Sequence, residues 1–316
     1  MPTASASTRR RSAWSRTARS SPRSRADVQV FLQTLIGGIT FGAVYALVAM
    51  GFSIVYRTMG LVNFAHGSVV MIGAYAASTF YMASKLPFAV AIIVAIAVTA
   101  LIGLLIERFL RPLENKDFTL MLIGTIGFGA VLEAGAVLVW GAAGHAVPSP
   151  VSTAPIDLAG VRIPTYSLLV IAVAAVATGL LALFLQRTKR GAAMQAAAMD
   201  HQAATAVGIH VGRSNALAFA IGAGLAALAG GLIGPMLYVN PTMGGTLGIK
   251  GFAAAMLGGF GSMPGAIVGG LAFGLLDSFA AGNFQEYSEL VTFLVFAVIV
   301  MIRPTGIFGE ATVNRA

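Results

Sequence analysis

The strongest constraint on this chain is how seldom its apolar character lets up. From Val28 to Ile302, apolar stretches of roughly membrane-spanning length follow one another, parted by short loops that hold most of the charges. Only 10% of residues are Asp, Glu, Lys or Arg and 57% are hydrophobic. Ordinary soluble domains carry about 25% charged residues. A soluble body this poor in charge could not cover its own surface, so the chain reads as an all-α polytopic membrane protein. Cysteine is absent, which excludes disulfides and thiolate metal sites. The four histidines, His66, His145, His201 and His210, show no HExxH spacing, and no metal site is read.

The net charge of +9 is carried largely by a tail. Seven arginines (Arg9, Arg10, Arg11, Arg16, Arg19, Arg23 and Arg25) fall within residues 1–26, and without them the charge drops from +9 to +2. A disordered basic tail before the first span is expected to be cytoplasmic under the positive-inside rule, and nucleic-acid binding is not indicated.

Eight long spans are expected, near residues 28–50, 61–82, 88–106, 118–140, 165–185, 215–238, 266–281 and 290–302. Two short apolar pieces, 51–58 and 250–258, interrupt the series, either crossing or re-entrant. If both cross, Arg108, Arg111 and Lys116 join Arg187, Lys189, Arg190, Arg213, Arg303 and the tail on one side. That charge bias favours crossing, with both termini in the cytoplasm.

Each short piece follows a GxxxG-containing span (Gly38 and Gly42; Gly230 and Gly234), opens on Gly-Phe (Gly51-Phe52; Gly251-Phe252) and leads to a glycine-containing break. This suggests a parallel internal repeat. Interrupted helices at matching places point to a transport path, because freed backbone groups there can meet a polar solute. The candidate path residues are Asn63, Phe64, His66 and Gly67 in the first break and Gly258, Gly259, Gly261 and Ser262 in the second. His66 can equally hold the break together, since Asn-x-x-His at helical spacing ties a turn. The glycines can serve turns and close packing.

Between the fifth and sixth spans, residues 187–214 form an alanine-rich, glycine-bracketed loop with helix propensity over 191–208. Met194, Ala197, Ala198, His201 and Ala204 share one face at helical spacing, fit to dock on a soluble partner or to lie on the chain's own bundle. Glu133 and Asp277 are possible buried ionisable groups without an obvious basic neighbour. No phosphate-binding loop of the G-x-x-x-x-G-K type followed by Ser or Thr occurs.

Gly60-Leu61-Val62-Asn63-Phe64-Ala65-His66-Gly67, followed by Val70 to Tyr75, resembles the signature of branched-chain amino acid ABC-transporter permeases of the LivH type. The loop Arg190–Gly212 resembles their ATPase-contacting segment. Ala253–Gly270 is similar to their C-terminal signature, and Arg303–Gly309 to their usual ending. The likeness covers roughly residues 28 to 310 and leaves out the arginine-rich tail.

The resemblance implies a single permease domain over 27–310, with a short tail at 311–316. It implies a non-catalytic subunit that binds no cofactor, ATP being used by two cytoplasmic ATPases. The further partners implied are a second permease or homodimer mate, and an extracytoplasmic solute-binding protein. The coupling residues it points to are Arg190, Met194, Ala198, Asp200, His201, Ala204 and Gly208. Its motifs do not separate branched-chain amino acids from urea or short amides. The competing reading is a stand-alone proton-coupled carrier or channel built on Glu133, Asp277 and His66. No paired carboxylates, metal spacing or Ser/His/Asp arrangement supports an enzyme.

Overall fold

A computed structural model describes residues 22–113, 118–152, 154–158 and 161–309. The tail before Pro22, Lys116 and residues 310–316 lie outside them. The first helix, α1 (Pro22–Met59), is the longest, because nothing between Val28 and Met59 breaks it. It absorbs the short piece expected at 51–58 and the last residues assigned to a disordered tail, 22–26. Gly51 alone does not end a helix; an interior glycine costs only about 1 kcal/mol relative to Ala.

The chain continues through α2 (His66–Met82), α3 (Phe88–Leu110) and α4 (Phe118–Trp140). A small antiparallel hairpin of β1 (Pro155–Leu158) and β2 (Val161–Pro164) precedes α5 (Thr165–Arg187). Then come α6 (Lys189–Met199), α7 (His201–Ala206), α8 (Val211–Ile233), α9 (Met243–Gly258), α10 (Met263–Phe284) and α11 (Ser288–Ile302). The second short piece is the later half of α9, which begins seven residues earlier than 250, inside the region expected to be a break.

Six stretches are long and apolar enough to cross a membrane: Val28–Met59, Phe88–Leu113, Thr119–Trp140, Thr165–Arg187, Val211–Ile233 and Met263–Ile302, the last containing both α10 and α11. The 17 residues of α2 and 16 of α9 reach only about 25 Å at 1.5 Å per residue, short of a hydrocarbon core of about 30 Å. α11, with 15 residues, is shorter still but lies at the edge, only Thr292 being buried, whereas α2 and α9 lie at the centre of the bundle. Ser68 and the last turn from Thr79 apart, α2 is buried along its length. In contrast, α4, α5 and α11 turn broad apolar faces outward, as lipid-facing helices do.

Glycine sets the packing. On α1 and α10, Gly38, Gly42 and Ala46 meet Leu275, Leu271 and Gly270 in turn, so the two helices run antiparallel with backbones in contact. A Cβ on Gly42 would come 2.9 Å from the Leu271 Cα. Antiparallel contact recurs between α3 and α8, where Ile92, Ile96 and Gly103 meet Gly231, Gly224 and Phe219. Gly73 of α2 packs on Ala227 of α8, Gly67 on Gly244 and Gly248 of α9, and Gly258 of α9 on Gly265 of α10.

These contacts fix the direction of every long helix. Tyr56 and Arg57 near the end of α1 lie beside Gly261 at the start of α10, and Arg111 after α3 reaches the Gly212 carbonyl in α8 (3.4 Å). The segment after α11 also returns to this end, where Ile307 donates to the Leu257 carbonyl (2.9 Å). At the opposite end Phe31 meets Phe279, Trp140 donates to Thr79 (2.8 Å), and the Tyr166 hydroxyl donates to the Leu232 carbonyl (2.7 Å). Nine segments among the described residues thus carry the chain between the two ends of the bundle: α1, α2 with the turn before it, α3 to α5, α8, α9 with the turn before it, α10 and α11. The short piece 51–58, expected as a separate crossing, adds none, because it continues α1.

Two measurements check this arrangement. With cysteine introduced at Val28 or Met199, a membrane-impermeant thiol reagent should reach the two positions from opposite sides of an oriented membrane. Labelling of both from one side would contradict the nine-pass count. Gly42→Val should lower the stability of the detergent-solubilised protein by about 1–3 kcal/mol through overpacking, whereas Gly179→Val, which faces open space, should leave unfolding unchanged.

Candidate functional site

The first break is a turn that folds back into the bundle. Gly60 ends α1 at φ +65°, its N–H donating to the Tyr56 carbonyl (2.7 Å). Asn63 is buried and uses its side chain locally: Oδ1 accepts from the Ala65 N–H (3.1 Å), while its carbonyl accepts from the His66 N–H (3.1 Å). This Asx-type turn starts α2 without spending the asparagine on a ligand. His66 is 2% exposed, with its ring 4.5 Å from that of Phe52. A Cβ on Gly51 would lie 2.5 Å from the imidazole Cε1 and Nε2, so Gly51 is the notch that holds the ring. Nε2 makes no hydrogen bond of ordinary geometry among the described residues. Gly67, next in the chain, is the point where α2 and α9 cross in backbone contact.

The second break is a hairpin at the bundle's end. Gly259 and Gly261 take φ +101° and +80°, values that suit glycine. Ser262 caps α10, Oγ accepting from the Gly265 N–H (3.1 Å). Gly258 and Gly265 let the two helices touch. The chain's ending closes over this turn. Ile307 and Phe308 donate to the Leu257 and Gly258 carbonyls (2.9 and 3.0 Å), satisfying acceptors that the end of α9 would otherwise leave open.

Phe252 joins the two breaks. Around its ring stand Phe52 and Phe64 (6.0 Å each) and Phe260 (5.2 Å), and Phe260 meets Tyr56 (5.0 Å). Phe64 is the exposed member, 48% accessible, with its N–H on Thr125 Oγ1 of α4 (3.3 Å). Of the eight expected path residues, Phe64 alone offers a large side chain outward from the middle of the bundle. Gly261 and Ser262 instead line a recess of about 890 Å³ at its end, together with Arg57, Ala198, His201 and Thr305.

That recess belongs equally to the loop 187–214. Thr188 caps α6, Oγ1 accepting from the Gly191 N–H (2.9 Å). Asp200 is extended and caps α7, Oδ1 accepting from the Gln202 and Ala203 N–H groups (2.8 and 2.9 Å). One alanine helix over 191–208 is thus two, bent at Asp200, and Gly208 ends the second at φ +85°. Met194, Ala197 and Ala204 turn inward and fasten the pair to the bundle; Gln195 adds a bond to the Leu185 carbonyl (2.6 Å). The outward face carries Arg190, Met199, Asp200, His201 and Val207, with Met199 83% and Val207 77% exposed. The face shared by Met194 and Ala204 therefore holds the segment down, and the neighbouring one is free.

Asp277 has the partner that sequence inspection did not find. Lys250 Nζ lies 3.0 and 2.9 Å from its two oxygens, and the Tyr45 hydroxyl donates to Oδ2 (2.8 Å). This links α9, α10 and α1 through side chains only 13% and 15% exposed at the charges. Glu133 makes no such contact among the described residues.

Known proteins match this sequence along most of its length. The model of a family described as branched-chain amino acid transport system / permease component covers residues 34–301. The chain belongs to this permease family. The permease is 36% identical over 305 residues to the high-affinity branched-chain amino acid transport system permease protein BraD of Pseudomonas aeruginosa, covering 92% of this chain and 99% of that one. To LivH of Escherichia coli it is 34% identical, covering 90% and 97%. A probable LivH of Methanocaldococcus jannaschii is 26% identical, covering 87% and 91%. Among solved structures, PsaBC from Streptococcus pneumoniae in complex with Fab aligns at TM-score 0.48 and 18% identity, over 86% of this chain and 90% of that one.

The permease is thus a multi-pass membrane transport subunit and not an enzyme. Its Gly-Phe pairs carried a signal that sequence inspection used only in part. Gly51 admits His66, Gly251 admits Val48, and Phe52 and Phe252 meet edge to face. The Lys250–Asp277 pair left no such trace, because 27 positions separate its members. Lys250→Met should destabilise the solubilised permease by about 3 kcal/mol, since the lone carboxylate stays behind. Lys250→Met combined with Asp277→Leu should recover most of that in the same unfolding measurement; equal losses would mean the pair is not the anchor.

Proposed function

We propose that this permease is the membrane-spanning subunit of an ATP-driven importer for branched-chain amino acids, the substrate named for its relatives. The carrying observation is the agreement with those permeases over about nine-tenths of the chain at 34–36% identity. Two cytoplasmic ATPases, a second permease or homodimer mate, and an extracytoplasmic solute-binding protein complete the assembly. ATP binds to the ATPases and not to this chain.

Charge supports one orientation. Arg57, Arg108, Arg111, Arg187, Lys189, Arg190, Arg213 and Arg303 cluster at the end that holds α6 and α7. Lys85, Arg162 and the first turn of α1, with Arg23 and Arg25, lie at the other, still the poorer of the two. The positive-inside rule makes the richer end cytoplasmic, so Met199 and Val207 face the ATPases, the C-terminus is inside and α1 begins outside. The two central helices too short to span mark the path, which runs over the outward face of α9 at Thr246 and Ile249 to Phe64 and is closed by the second permease. His66, Asn63, Gly67 and the 258–262 turn hold the walls.

The packing also supports an internal repeat, of inverted rather than parallel sense. Exchanging α1–α4 with α8–α11 maps the α1/α10 contact onto α8/α3 and the α2/α3 contact onto α9/α10, with every helix reversed. On this reading the counterpart of the 60–65 turn is 234–242, between α8 and α9, and not 258–265.

Vesicles holding both permeases and the ATPases should accumulate leucine only with ATP and the loaded binding protein. This chain alone under a proton gradient should accumulate none; uptake there would establish the stand-alone carrier instead. A photo-crosslinker at Met199 or Val207 should capture an ATPase, while one at Asp157 should not.

A further inference from the structure

Glu133 is out of place unless something meets it. It lies on α4, whose mid-section is otherwise apolar, seven residues before the helix ends at Trp140, or about 10 Å along the axis. It is partly exposed and has no hydrogen bond or ion pair among the described residues. A carboxylate at that depth cannot face lipid without a substantial penalty, and such groups turn to protein, water or a pathway.

Its direction follows from α4's packing. Thr125, Gly129 and Trp140 lie against α2 and the turn before it, meeting Phe64, then Ala65 and Ser68, then Tyr75 and Thr79, so the two helices run side by side in the same direction, and Ala136 between them is buried. Glu133 is four residues after Gly129 and three before Ala136, which puts it on the rim of this same face.

The seam beside it contains further polar groups without partners. Ser68 is partly exposed, and its hydroxyl makes no hydrogen bond among the described residues. The Tyr75 hydroxyl is buried and also unpartnered, its ring stacked 4.8 Å from Trp140. Aromatic surface stands at both ends, Phe64 at one and Trp140 at the other. A carboxylate with two free hydroxyls and flanking rings suits a small amphipathic solute that carries an ammonium group and an aliphatic body.

We propose that the α2–α4 seam is a contact site for the translocating amino acid, with Glu133 receiving its ammonium group and Ser68 accepting a further hydrogen bond. This rests on the importer reading above and extends it from Phe64 into the neighbouring helix. Glu133 supplies the counter-charge that a zwitterion loses on leaving water, which an all-apolar wall could not.

The test uses the full complex in liposomes, with leucine as probe and the other subunits free of accessible cysteine. Glu133→Gln should reduce maximal leucine uptake about tenfold or more, the worth of a hydrogen bond to a charged group. Subunit assembly, unstimulated ATPase rate and the apparent KM for loaded binding protein should stay unchanged, and Glu133→Asp should restore part of the rate. Cysteine at Ser68, with Glu133 kept, should react with 2-aminoethyl methanethiosulfonate, and leucine under turnover should slow that reaction. Cysteine at Leu138, on the outer face, should show no leucine effect. Wild-type uptake by Glu133→Gln, or labelling at 68 indifferent to leucine while that complex transports it, overturns the proposal. So does loss of the second permease from purified Glu133→Gln complex, which would assign the carboxylate to a subunit contact. If the wild-type complex carries no leucine, the substrate reading fails separately; faster reaction of cysteine at 68 with the aminoethyl reagent when Glu133 is present than in Glu133→Gln then still supports the seam, and equal rates overturn it.

Discussion

Close approach of helix backbones is the interaction on which the rest of this permease depends. Between membrane helices there is no gain from hiding apolar side chains, since lipid is as apolar as leucine, and stability has to come from packing and interhelical polar contacts. The chain obtains it by bringing main chains together. Gly42, Gly270 and Gly274 join α1 to α10, Gly73 and Gly230 join α2 to α8, and Gly103 admits α8 against α3. At the centre Gly67, Gly244 and Gly248 bring α2 onto α9. Two helices too short to span are thereby held in the middle by their neighbours and need not be anchored at both membrane surfaces.

Short central helices expose backbone groups at their ends, and several of these are met. Asn63 folds the turn before α2, Ser262 caps α10, and the Arg303–Gly309 ending returns to donate to the last carbonyls of α9. That ending, recognisable in the sequence only as a family feature, has a definite physical task. Gly306 and Gly309 press on Gly259 so closely that no side chain fits between them. Its glycines and the Ile307 and Phe308 N–H groups together make a cap for a helix more than forty residues earlier in the chain.

Much of this was legible in the sequence, and the failures have specific causes. The positions of α3, α4 and α5 follow from runs of apolar residues bounded by charge or proline, as at Pro87, Arg187 and Pro164. One join was missed: 51–58 lies inside α1, because a lone glycine does not end a helix. The inward turn of Met194 and Ala204 could not be read either, because an alanine-rich helix offers no strong contrast between its faces. At the candidate site the residue types were visible but their duties were not. Asn63, Ser262 and four glycines are consumed by turns and crossings, and only Phe64 among them presents a large side chain outward.

The outward-facing segment of α6 and α7 borders elements that lead to the centre of the bundle. Ala198 and His201 border one recess with Tyr56 and Arg57 of α1, the 260–264 turn and the Pro304–Gly309 ending. A displacement of α6 and α7 therefore presses on the far tip of α1 and on the cap of α9 at once. From that cap, α9 runs without a break to Met243, carrying Phe252 at the aromatic cluster and Lys250 at its pairing with Asp277 and Tyr45. A continuous helix of 16 residues transmits a shift along its axis more faithfully than a loop does, because its hydrogen-bonded turns move together. The ion pair ties that movement to α10 and α1, whose own glycine contact resists separation while leaving room for sliding. The recess is thus joined to Phe64 through packed helices alone, by contacts all present in the bundle.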